Sequence, residues 1–495
     1  MVGILAANSA VSGDIEVSNS LRFNPGDSAY LYKTPSASNK KTWTISTWVK
    51  RGTIYDSGEV NADANQVVLG SAPDTSNYAH FYFTFDQLRF YDFRNGSFVF
   101  NFKSNAEHRD PSAWYHIVAA CDTTQSTESD RFKMYVNGSQ ITSWANDVYP
   151  SQNADTLIFE NNLHTIGRYG DQGGGYWNGY MTEFHAIDGA AKAPTDFGKF
   201  DDNGVWIPKK YTGSYGSEGW FFEFKQTGTS ANSSGMGADT SGNDNHFTPS
   251  GLTASDVTTD TCTNNFATMN SVESPRQQGG VITFKEGNCQ IVTSYTDANY
   301  ARYPQAYSTM AVTKGKWYFE MKPISGDVYN IGVFSPEDYA SNSTTNPYGG
   351  YAATGCIYTE GGEVRQNDGS TEDLGTYGTS DIVGCALDMD NNAVYFHKNN
   401  TYINSGNPAS GGSKTGAFSL PTTGPYASNT SSITHYGFTC GDEGAADVGT
   451  MSINFGNPPY VPSSIESDAN GYGSFEYAPP SGYYALCTKN LAEYG

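Results

Sequence analysis

Short runs of alternating residues recur along the whole chain, and they constrain its fold more than any other feature. In KTWTISTWVKRG (41–52) the alternation puts four side chains on each side of an extended chain: Trp43, Ile45, Thr47 and Val49 on one, Thr44, Ser46, Trp48 and Lys50 on the other. A period of two is that of a β-strand, and no stretch sustains the spacing of a long amphipathic helix. The 54 glycines and 16% charged residues also favour strands and turns. The sequence therefore predicts an all-β protein.

Two polar segments predict β-hairpins. Asn137–Gly138 separates two strand-like segments, which is a strong local hairpin signal. In ALDMDNNAVYFHKNN (386–400), Asp388, Asp390 and Asn392 alternate like the first ligands of a calcium loop. Such a loop needs glycine at its sixth position and glutamate at its twelfth, where this chain has alanine and asparagine. We interpret the segment as a hairpin turn, with the calcium loop as the alternative.

Composition excludes several classes of function. A formal net charge of −23 argues against nucleic-acid binding, which needs clustered basic residues. The 7 cysteines include no C-x-x-C pair, which argues against structural zinc and favours folding in a reducing compartment. Cys121 and Cys385 fall within apolar strand patterns as small core residues. The N-terminus is a poor signal peptide and no run reaches membrane-spanning length, so we expect synthesis in the cytoplasm without membrane insertion.

Four motifs in the first part of the chain occur in the order typical of one family. They are SLRFNPGDSAYLYKTP (20–35), WYHIVAACD (114–122), FKMYVNG (132–138) and GYMTEFHAIDG (179–189). Together with the strand at 41–52, they resemble the laminin G-like, concanavalin A-like lectin family. The resemblance implies a two-sheet, jelly-roll β-sandwich.

A second set of motifs resembles the SPRY domain. It includes KGKWYFEMKP (314–323), YNIGV (329–333) and SDIVGCALD (380–388), followed by the hairpin described above. SPRY is also a concanavalin A-like sandwich, so the resemblance implies two such sandwiches in tandem. The expected organisation is an attachment arm (1–20), a laminin G-like sandwich (21–200), a Gly/Ser/Asn-rich connector (201–279), a SPRY-like sandwich (280–462) and a C-terminal tail (463–495).

The connector carries a further resemblance. DTSGNDNHFTPSGLTASDVTTDTCTNNFATMNS (239–271), taken with PPSGYYALCTKNL (479–491), resembles structural proteins of tailed bacteriophages, particularly marine and cyanobacterial ones. The resemblance implies a virion surface protein made in the host cytoplasm, such as a tail fibre, a receptor-binding protein or a head fibre. Its partners would be other virion proteins and a glycan or protein on the host surface, and a symmetric homo-oligomer is expected.

The sequence favours binding over catalysis. Polysaccharide-cutting enzymes of this fold place paired carboxylates on one strand, and no such run is found. Glu183 and Asp188 are five positions apart, which in a regular strand sends them to opposite faces. We therefore expect no enzyme. The alternatives left open are an architectural capsid or tail decoration protein and a polysaccharide-degrading or adhesive protein.

Two loops are candidate ligand sites, because lectin-like sandwiches bind sugars with loop aromatics and neighbouring polar groups. The first is RYGDQGGGYWNG (168–179), and the second is NPYGGYAATG (346–355). In the alternative interpretation, the aromatic residues of the first loop cover the edge of the sandwich and the second loop is a packed turn. The candidate residues are Tyr169, Asp171, Gln172, Tyr176, Trp177, Asn178, Tyr348 and Tyr351.

Calcium is the one cofactor that the sequence leaves open. The connector segment DTSGNDN offers oxygen ligands from Asp239, Ser241, Asn243 and Asp244. Asx-turns explain the same residues without a metal. His80, His116 and His185 fall within strand patterns and are expected to be structural.

Overall fold

The chain divides into two compact units between Asn265 and Phe266. Among the described residues, the first unit contains two eight-stranded β-sheets and a two-stranded one, and the second unit contains two β-sheets, so the predicted all-β fold is confirmed. This computed structural model describes residues 15–54, 65–170, 173–272, 280–295, 304–336, 355–366, 369–371, 373–423, 432–442 and 448–495. Four predicted site residues lie outside them: Asp171, Gln172, Tyr348 and Tyr351.

The first unit contributes eighteen strands from its described residues. They are β1 (Ser20–Phe23), β2 (Tyr30–Lys33), β3 (Thr42–Arg51), β4 (Asn65–Asp74), β5 (Asn77–Thr84), β6 (Gln87–Arg94), β7 (Ser97–Glu107), β8 (Trp114–Asp122), β9 (Phe132–Val136), β10 (Ser139–Gln140), β11 (Trp144–Val148), β12 (Leu163–Ile166), β13 (Gly179–Asp188), β14 (Gly198–Phe200), β15 (Trp206–Pro208), β16 (Trp220–Phe222), β17 (Thr248–Ser250) and β18 (Val257–Thr258). Short 3₁₀ turns occur at Pro25–Asp27, Glu128–Asp130, Pro194–Asp196 and Ala254–Asp256.

Sixteen of these strands form an antiparallel sandwich, and β14 pairs with β15 in a separate two-stranded sheet. Sheet A has the order β10-β9-β8-β3-β13-β1-β18, with β16 also paired to β13, and sheet B has the order β11-β7-β6-β5-β4-β12-β2-β17. The core lies between the inner faces of the two sheets, where Trp43 contacts Phe90 at 5.6 Å between ring centroids. Ile45 and Val49 join Trp43 in this core, as the alternation in β3 predicts.

The segment that the sequence suggests as a connector adds strands to this sandwich. β16 extends β13, β17 extends β2 and β18 extends β1. The same segment covers the outer face of sheet A. There Trp206 of β15 packs in an apolar cluster with Trp48, Trp114 and Tyr180. Both faces of β3 are consequently buried, which explains why this strand carries a tryptophan on each side.

A buried ion pair fastens the end of this segment to sheet A. Lys50 Nζ lies 2.8 Å from Asp260 Oδ2, and both side chains are essentially inaccessible to solvent. Lys50 also donates to Asn265 Oδ1, and Trp114 Nε1 donates to the other oxygen of Asp260. A buried charge needs partners of this kind, so the strand and the segment depend on each other.

The second unit contributes fifteen strands from its described residues. They are β19 (Gly280–Lys285), β20 (Gln290–Tyr295), β21 (Gln305–Val312), β22 (Lys316–Ser325), β23 (Asn330–Phe334), β24 (Cys356–Thr359), β25 (Val364–Gln366), β26 (Gly369–Thr371), β27 (Val383–Asp388), β28 (Ala393–Lys398), β29 (Thr401–Tyr402), β30 (Phe418–Ser419), β31 (Tyr436–Gly441), β32 (Thr450–Asn454) and β33 (Tyr484–Ala485). The helix α1 (Thr488–Tyr494) and 3₁₀ turns at Glu286–Asn288, Ile403–Ser405 and Pro408–Ser413 complete it.

Sheet C has the order β19-β20-β32-β22-β27-β28-β29, with β30 on β28 and β33 on β22, and sheet D has the order β21-β31-β23-β24-β25-β26. Between the sheets, Phe319 of β22 packs on Phe438 of β31 at 4.4 Å. On the other face of sheet C, Phe475 packs on Tyr318 at 5.1 Å. Residues from the C-terminal tail thus cover part of this sheet.

Both predicted hairpins are confirmed. The strands β27 and β28 pair in register, from Val383 opposite Lys398 to Asp388 opposite Ala393. Asn392 in the turn between them adopts a left-handed φ of 51°. Asp388 accepts hydrogen bonds from Asn391 N and Nδ2 at 3.1 and 2.9 Å, which is how an aspartate stabilises a turn. Between β9 and β10, Asn137 and Gly138 have φ of 47° and 77°, as a two-residue hairpin turn requires.

All seven cysteines are buried and free, as expected for small core residues. Burial raises the pKa of the Cys356 and Cys385 thiols above the ordinary value, which keeps them in the unreactive neutral form. Within the described residues, no helix is both long enough and apolar enough to cross a membrane.

Candidate functional site

The predicted ligand loop 168–179 runs along sheet B. Val67 N of β4 donates to Gly175 O at 2.9 Å, which ties the loop to the sheet. Gly175 has a φ of 60°, and a Cβ there would lie 2.6 Å from the Tyr169 ring. Glycine at this position therefore lets the loop pass close to Tyr169. Tyr169 and Tyr176 are both partly exposed.

The two residues that end this loop face the interior. Trp177 is fully buried, and its ring lies 5.9 Å from that of Phe83 in the core. Asn178 is also buried, and its side-chain amide donates to Thr53 Oγ1 at 3.1 Å. The chain has already turned towards β13, which begins at Gly179. The expectation that Trp177 and Asn178 belong to a surface site is thereby corrected, and the alternative in which the loop covers the sandwich fits them better.

The predicted calcium residues hold a turn. Asp239 accepts hydrogen bonds from Ser241 N and Asn245 N at 2.9 and 2.8 Å. The side-chain amide of Asn243 donates to two backbone carbonyls, and the Asp244 carboxylate points to solvent. Across the described part of the chain, no group of three or more His, Cys, Asp or Glu side chains is arranged to hold a metal ion. Calcium binding here stays a prediction.

The outer face of sheet B carries an unusual number of partly exposed aromatic side chains. We call this surface the tyrosine face. On β5 and β6, aromatic residues alternate with the phenylalanines of the core, so the strand period itself places them on the outside. Phe98 is 40% exposed, whereas the outward residues of β3 and β13 in sheet A are buried. The tyrosine face consists of Tyr30, Tyr32, Tyr78, His80, Tyr82, Arg89, Tyr91, Phe93, Phe98, Lys103, Arg168 and Tyr169.

The strand register aligns these residues in rows across the sheet. One row runs over seven strands from β7 to β17, and a second, shorter row lies beside it. Residues paired in register on neighbouring strands project on the same side of the sheet. The first row is Asn101, Tyr91, His80, Gly70, Thr165, Tyr32 and Thr248, and the second is Lys103, Arg89 and Tyr82.

The candidate loop crosses this face at Gly70. A Cβ at Gly70 would lie 2.7 Å from Arg168 O and 2.8 Å from Gly170 N, so only glycine admits the loop here. The crossing puts the Tyr169 ring against His80 at 4.4 Å on one side. On the other side, the Arg168 guanidinium lies 3.9 Å from the centre of the Tyr30 ring. The loop thus contributes one aromatic and one cationic side chain to the tyrosine face.

Arg89 lies among three rings of the face. Its guanidinium carbon is 4.9 Å from the centre of the Tyr91 ring and 5.9 Å from that of Phe98. Nη1 donates to the Tyr82 hydroxyl and Nε donates to Asn101 Oδ1, each at 3.0 Å. Stacking on rings and two directed hydrogen bonds fix the guanidinium in one orientation.

Burial keeps three polar side chains of the face, His80, Tyr82 and Tyr91, neutral near neutral pH. It lowers the pKa of His80 to about 3, and the His80 Nδ1 lies 3.1 Å from the Tyr91 hydroxyl. Burial also raises the pKa of Tyr82 and of Tyr91. The charge on the face is therefore carried by its arginine and lysine side chains.

Glu183 and Asp188 make separate contacts. A bulge in β13 gives Glu183 a φ of 48°, and its carboxylate lies 3.7 Å from His185 Nε2. Asp188 instead accepts hydrogen bonds from Ser38 Oγ at 2.5 Å and from Glu218 N at 3.1 Å. Its carboxylate is consequently engaged in holding the surrounding loops together.

Only part of the tyrosine face was predicted from the sequence as a binding surface. Tyr169 was singled out from its loop, whereas His80 was assigned a purely structural role. A signal for the missed residues is present in AHFYFTFDQLRFYDF (79–93), where the face opposite the phenylalanines carries His, Tyr and Arg at alternate positions. Solvent-facing strand positions more often carry charged or small polar residues, so repeated tyrosines there indicate a surface with a role.

The comparisons with known proteins agree with this architecture. Residues 25–195 match the Laminin_G_3 family model, described as the concanavalin A-like lectin/glucanases superfamily. The first unit therefore contains a concanavalin A-like β-sandwich that is similar to this family over residues 25–195, as the motif resemblance implies. No curated protein gives a significant match to the chain.

Several solved structures are similar to parts of the chain. The SPRY domain of human HERC1 is 13% identical, with 35% of this chain and 91% of that chain covered and a TM-score of 0.24. A human SPRY domain is 12% identical, with 32% and 89% covered and a TM-score of 0.22. A heptameric SAP-like pentraxin from Limulus polyphemus is 14% identical, with 36% and 80% covered and a TM-score of 0.27. No ligand or activity is carried over from them to this chain.

Proposed function

We propose that this protein is a non-enzymatic binding protein on the surface of a tailed-phage virion, and that its first unit contacts host-surface glycan. The tyrosine face is the observation that carries the binding role. The lectin-like domain supports the choice of glycan, and the connector motifs at 239–271 support the virion setting. The protein would be made in the host cytoplasm and would assemble with other virion proteins.

The chemistry of the tyrosine face suits sugars. A pyranose ring presents C–H groups on its faces and hydroxyls on its rim. Tyrosine rings stack on the C–H groups, while phenolic hydroxyls, amides and guanidinium groups bond the rim. Tyr32, Tyr91 and Asn101 lie in one register row and offer both kinds of group. Because these side chains come from strands, little ordering is needed when a ligand binds.

Binding to host-surface polysaccharide tests this proposal. Purified full-length chain would be titrated with glycan extracted from the host cell surface, and Tyr32→Ala and Tyr91→Ala would be compared with it. We expect each substitution to weaken binding by about tenfold, because one stacking ring is lost. Tyr135→Ala, at a partly exposed tyrosine of β9 in sheet A, is the matched control and should bind normally.

Each part of the proposal has a result that would contradict it. Unchanged binding in both tyrosine-face variants would move the site elsewhere, and absence of the chain from purified virions would remove the virion role. Normal phage adsorption without the protein would favour the architectural alternative. Release of reducing sugar from the host polysaccharide would contradict the non-enzymatic assignment.

A further inference from the structure

We propose that the tyrosine face selects acidic glycans, in which the carboxylate of a uronic acid residue binds between Arg89 and Lys103. This inference rests on the proposed glycan-binding function and specifies its substrate class. It depends on the charges of the face, on their arrangement and on what surrounds them.

The tyrosine face carries three cations and, by its definition, no acidic residue. In other parts of this unit some basic side chains meet carboxylates: Lys50 pairs with Asp260 at 2.8 Å, and Lys133 pairs with Asp130 at 2.8 Å. Among the described residues, Lys103 has no carboxylate within ion-pair distance. The same holds for Arg89 and Arg168. The chain has 51 acidic and 28 basic residues, so the local charge of this face is opposite in sign to that of the whole chain.

Two of these cations are direct neighbours. Arg89 of β6 and Lys103 of β7 are paired in register, which puts their Cβ atoms roughly 5 Å apart. Like charges directly opposite each other on adjacent strands are destabilising. An anion bound between them would remove that repulsion, and Arg89 is already oriented by Tyr82 and Asn101. Arg89 is therefore preorganised, and a second positive charge beside it favours an anion over a neutral group.

Nearby carboxylates of the unit are engaged elsewhere. Asp92 is buried, accepts a hydrogen bond from Leu157 N at 2.7 Å and pairs with Arg94 at 3.0 Å. Glu107 at the end of β7 pairs with Arg109 at 3.0 Å. Neither can neutralise Arg89 and Lys103 without giving up these partners, so both cations stay available to an anionic ligand.

The surrounding rings define the rest of the ligand. Tyr91 and Phe98 flank Arg89, and their ring centroids are 5.7 Å apart. Tyr91 is partly exposed and Phe98 is exposed. Aromatic rings beside a cation pair fit a sugar ring that carries a carboxylate at its edge. A hexuronic acid residue within a polysaccharide has this combination of an apolar ring face and a C6 carboxylate.

A matched pair of probes tests the inference on the full-length chain. The first probe is an oligogalacturonate hexamer, and the second is the same hexamer as its methyl ester, in which the carboxylates are neutral. Calorimetric titration should give about tenfold weaker binding of the ester, and affinity for the acid should fall as salt is added. Lys103→Gln should also weaken binding of the acid by about tenfold, with no change for the ester.

Lys210→Gln is the control for Lys103→Gln, because Lys210 is an exposed lysine outside the tyrosine face. Arg89→Lys is a second variant: it keeps the charge but loses the planar guanidinium, so we expect a partial loss. Equal affinity for acid and ester overturns the acidic-glycan inference but leaves glycan binding intact. Equal loss in Lys210→Gln overturns it as well. If the chain binds host glycan but neither hexamer, uronic acid is rejected as the ligand and glycan binding stands. If the chain binds no glycan at all, the proposed function itself is rejected.

Discussion

Glu320 of β22 is a buried acidic residue whose ionisation the structure predicts. Its carboxylate accepts hydrogen bonds from Glu476 N and Tyr477 N, each at 2.9 Å, and from the Tyr318 hydroxyl at 2.9 Å. Asn454 Nδ2 donates at 3.0 Å. Burial raises the pKa of Glu320 to about 7, although these hydrogen bonds oppose the shift. The side chain thus links the C-terminal tail to sheet C and titrates close to neutrality.

The raised pKa makes the stability of the second unit depend on pH. Because the folded-state pKa of Glu320 lies above the ordinary value of 4.5, the folded chain binds this proton more tightly than the unfolded chain does. The resulting stabilisation is complete below that ordinary pKa and is lost as the pH rises through about 7. His397 beside Tyr318 does not interfere, because burial lowers its pKa to about 3 and keeps it neutral in this range.

Glu320→Gln removes the titrating group, so the wild-type chain should lose stability relative to this variant as the pH rises. Between about pH 5 and pH 8, the difference in their free energies of unfolding should change by up to roughly 3 kcal/mol. Urea unfolding at both pH values measures it. Glu493→Gln, at an exposed glutamate of α1, should show no such change. A pH-independent difference between wild type and Glu320→Gln would mean that Glu320 keeps an ordinary pKa when folded.

Sequence patterns predict the role of a residue when its contacts are close to it in the chain. They miss that role when the contacts come from distant parts of the chain. The turn role of Asp388 follows from its neighbours in the chain, and the structure confirms it. The burial of Trp177 depends on Phe83, which is far away in sequence, so a loop pattern alone suggested exposure. The Arg89–Lys103 pair likewise appears only when the strand register is known.

At the scale of elements, β27 shows how a single glycine determines strand packing. Gly384 pairs with Glu320 on one side and with His397 on the other. A Cβ on Gly384 would lie 2.0 Å from His397 Nε2, the atom that lies 2.7 Å from the Tyr318 hydroxyl. The glycine therefore leaves the space in which His397 reaches Tyr318 across the sheet.

Gly384→Ala should displace His397 and destabilise the second unit by about 1–3 kcal/mol, since the core cannot expand to accept the methyl group. A lower urea midpoint at unchanged m-value would be the signature. Gly378→Ala is the control, because a Cβ at Gly378 meets nothing within 4 Å. Equal effects of the two substitutions would show that loss of glycine flexibility, not the contact with His397, matters.

Elements closed by a short turn are the ones that the sequence predicts best. The hairpins at Asn137–Gly138 and at β27–β28 follow from turn chemistry between adjacent strands. β16, β17 and β18 have two or three residues each and pair with strands far away in the sequence. Strands this short have too few residues for a clear alternation, so composition made their segment look like a linker.

At the scale of the whole molecule, two units with separate cores account for the chain length. The first unit ends at Asn265, well beyond the 25–195 that match the lectin family model. Residues after this match bury the outer face of sheet A, and the tyrosine face lies on the other sheet. The extension therefore covers the part of sheet A around Trp48, Trp114 and Tyr180, whereas the tyrosine face of sheet B keeps partly exposed side chains.

This division predicts which fragments fold. A fragment of residues 15–265 should unfold cooperatively, because it contains every strand of sheets A and B that the structure describes. A fragment of residues 15–200 lacks β15 to β18. It exposes Trp48 and Tyr180, and it leaves the buried Lys50 without Asp260, a loss worth roughly 3–5 kcal/mol. Since small domains are stable by only about 5–15 kcal/mol, we expect the shorter fragment to be largely unfolded or aggregated.

Thermal unfolding followed by near-ultraviolet circular dichroism distinguishes the two fragments, because buried tryptophans give a signal only when their packing is fixed. Asp260→Asn in the longer fragment is the intermediate case: it keeps β15 to β18 but removes the charge opposite Lys50. It should still fold, with a lower midpoint than the unsubstituted fragment. Equal midpoints for residues 15–200 and 15–265 would mean that the lectin-like core folds without its extension. Sheet A would then be open in the shorter fragment, and ligand binding there would no longer be blocked by Trp206 and its neighbours.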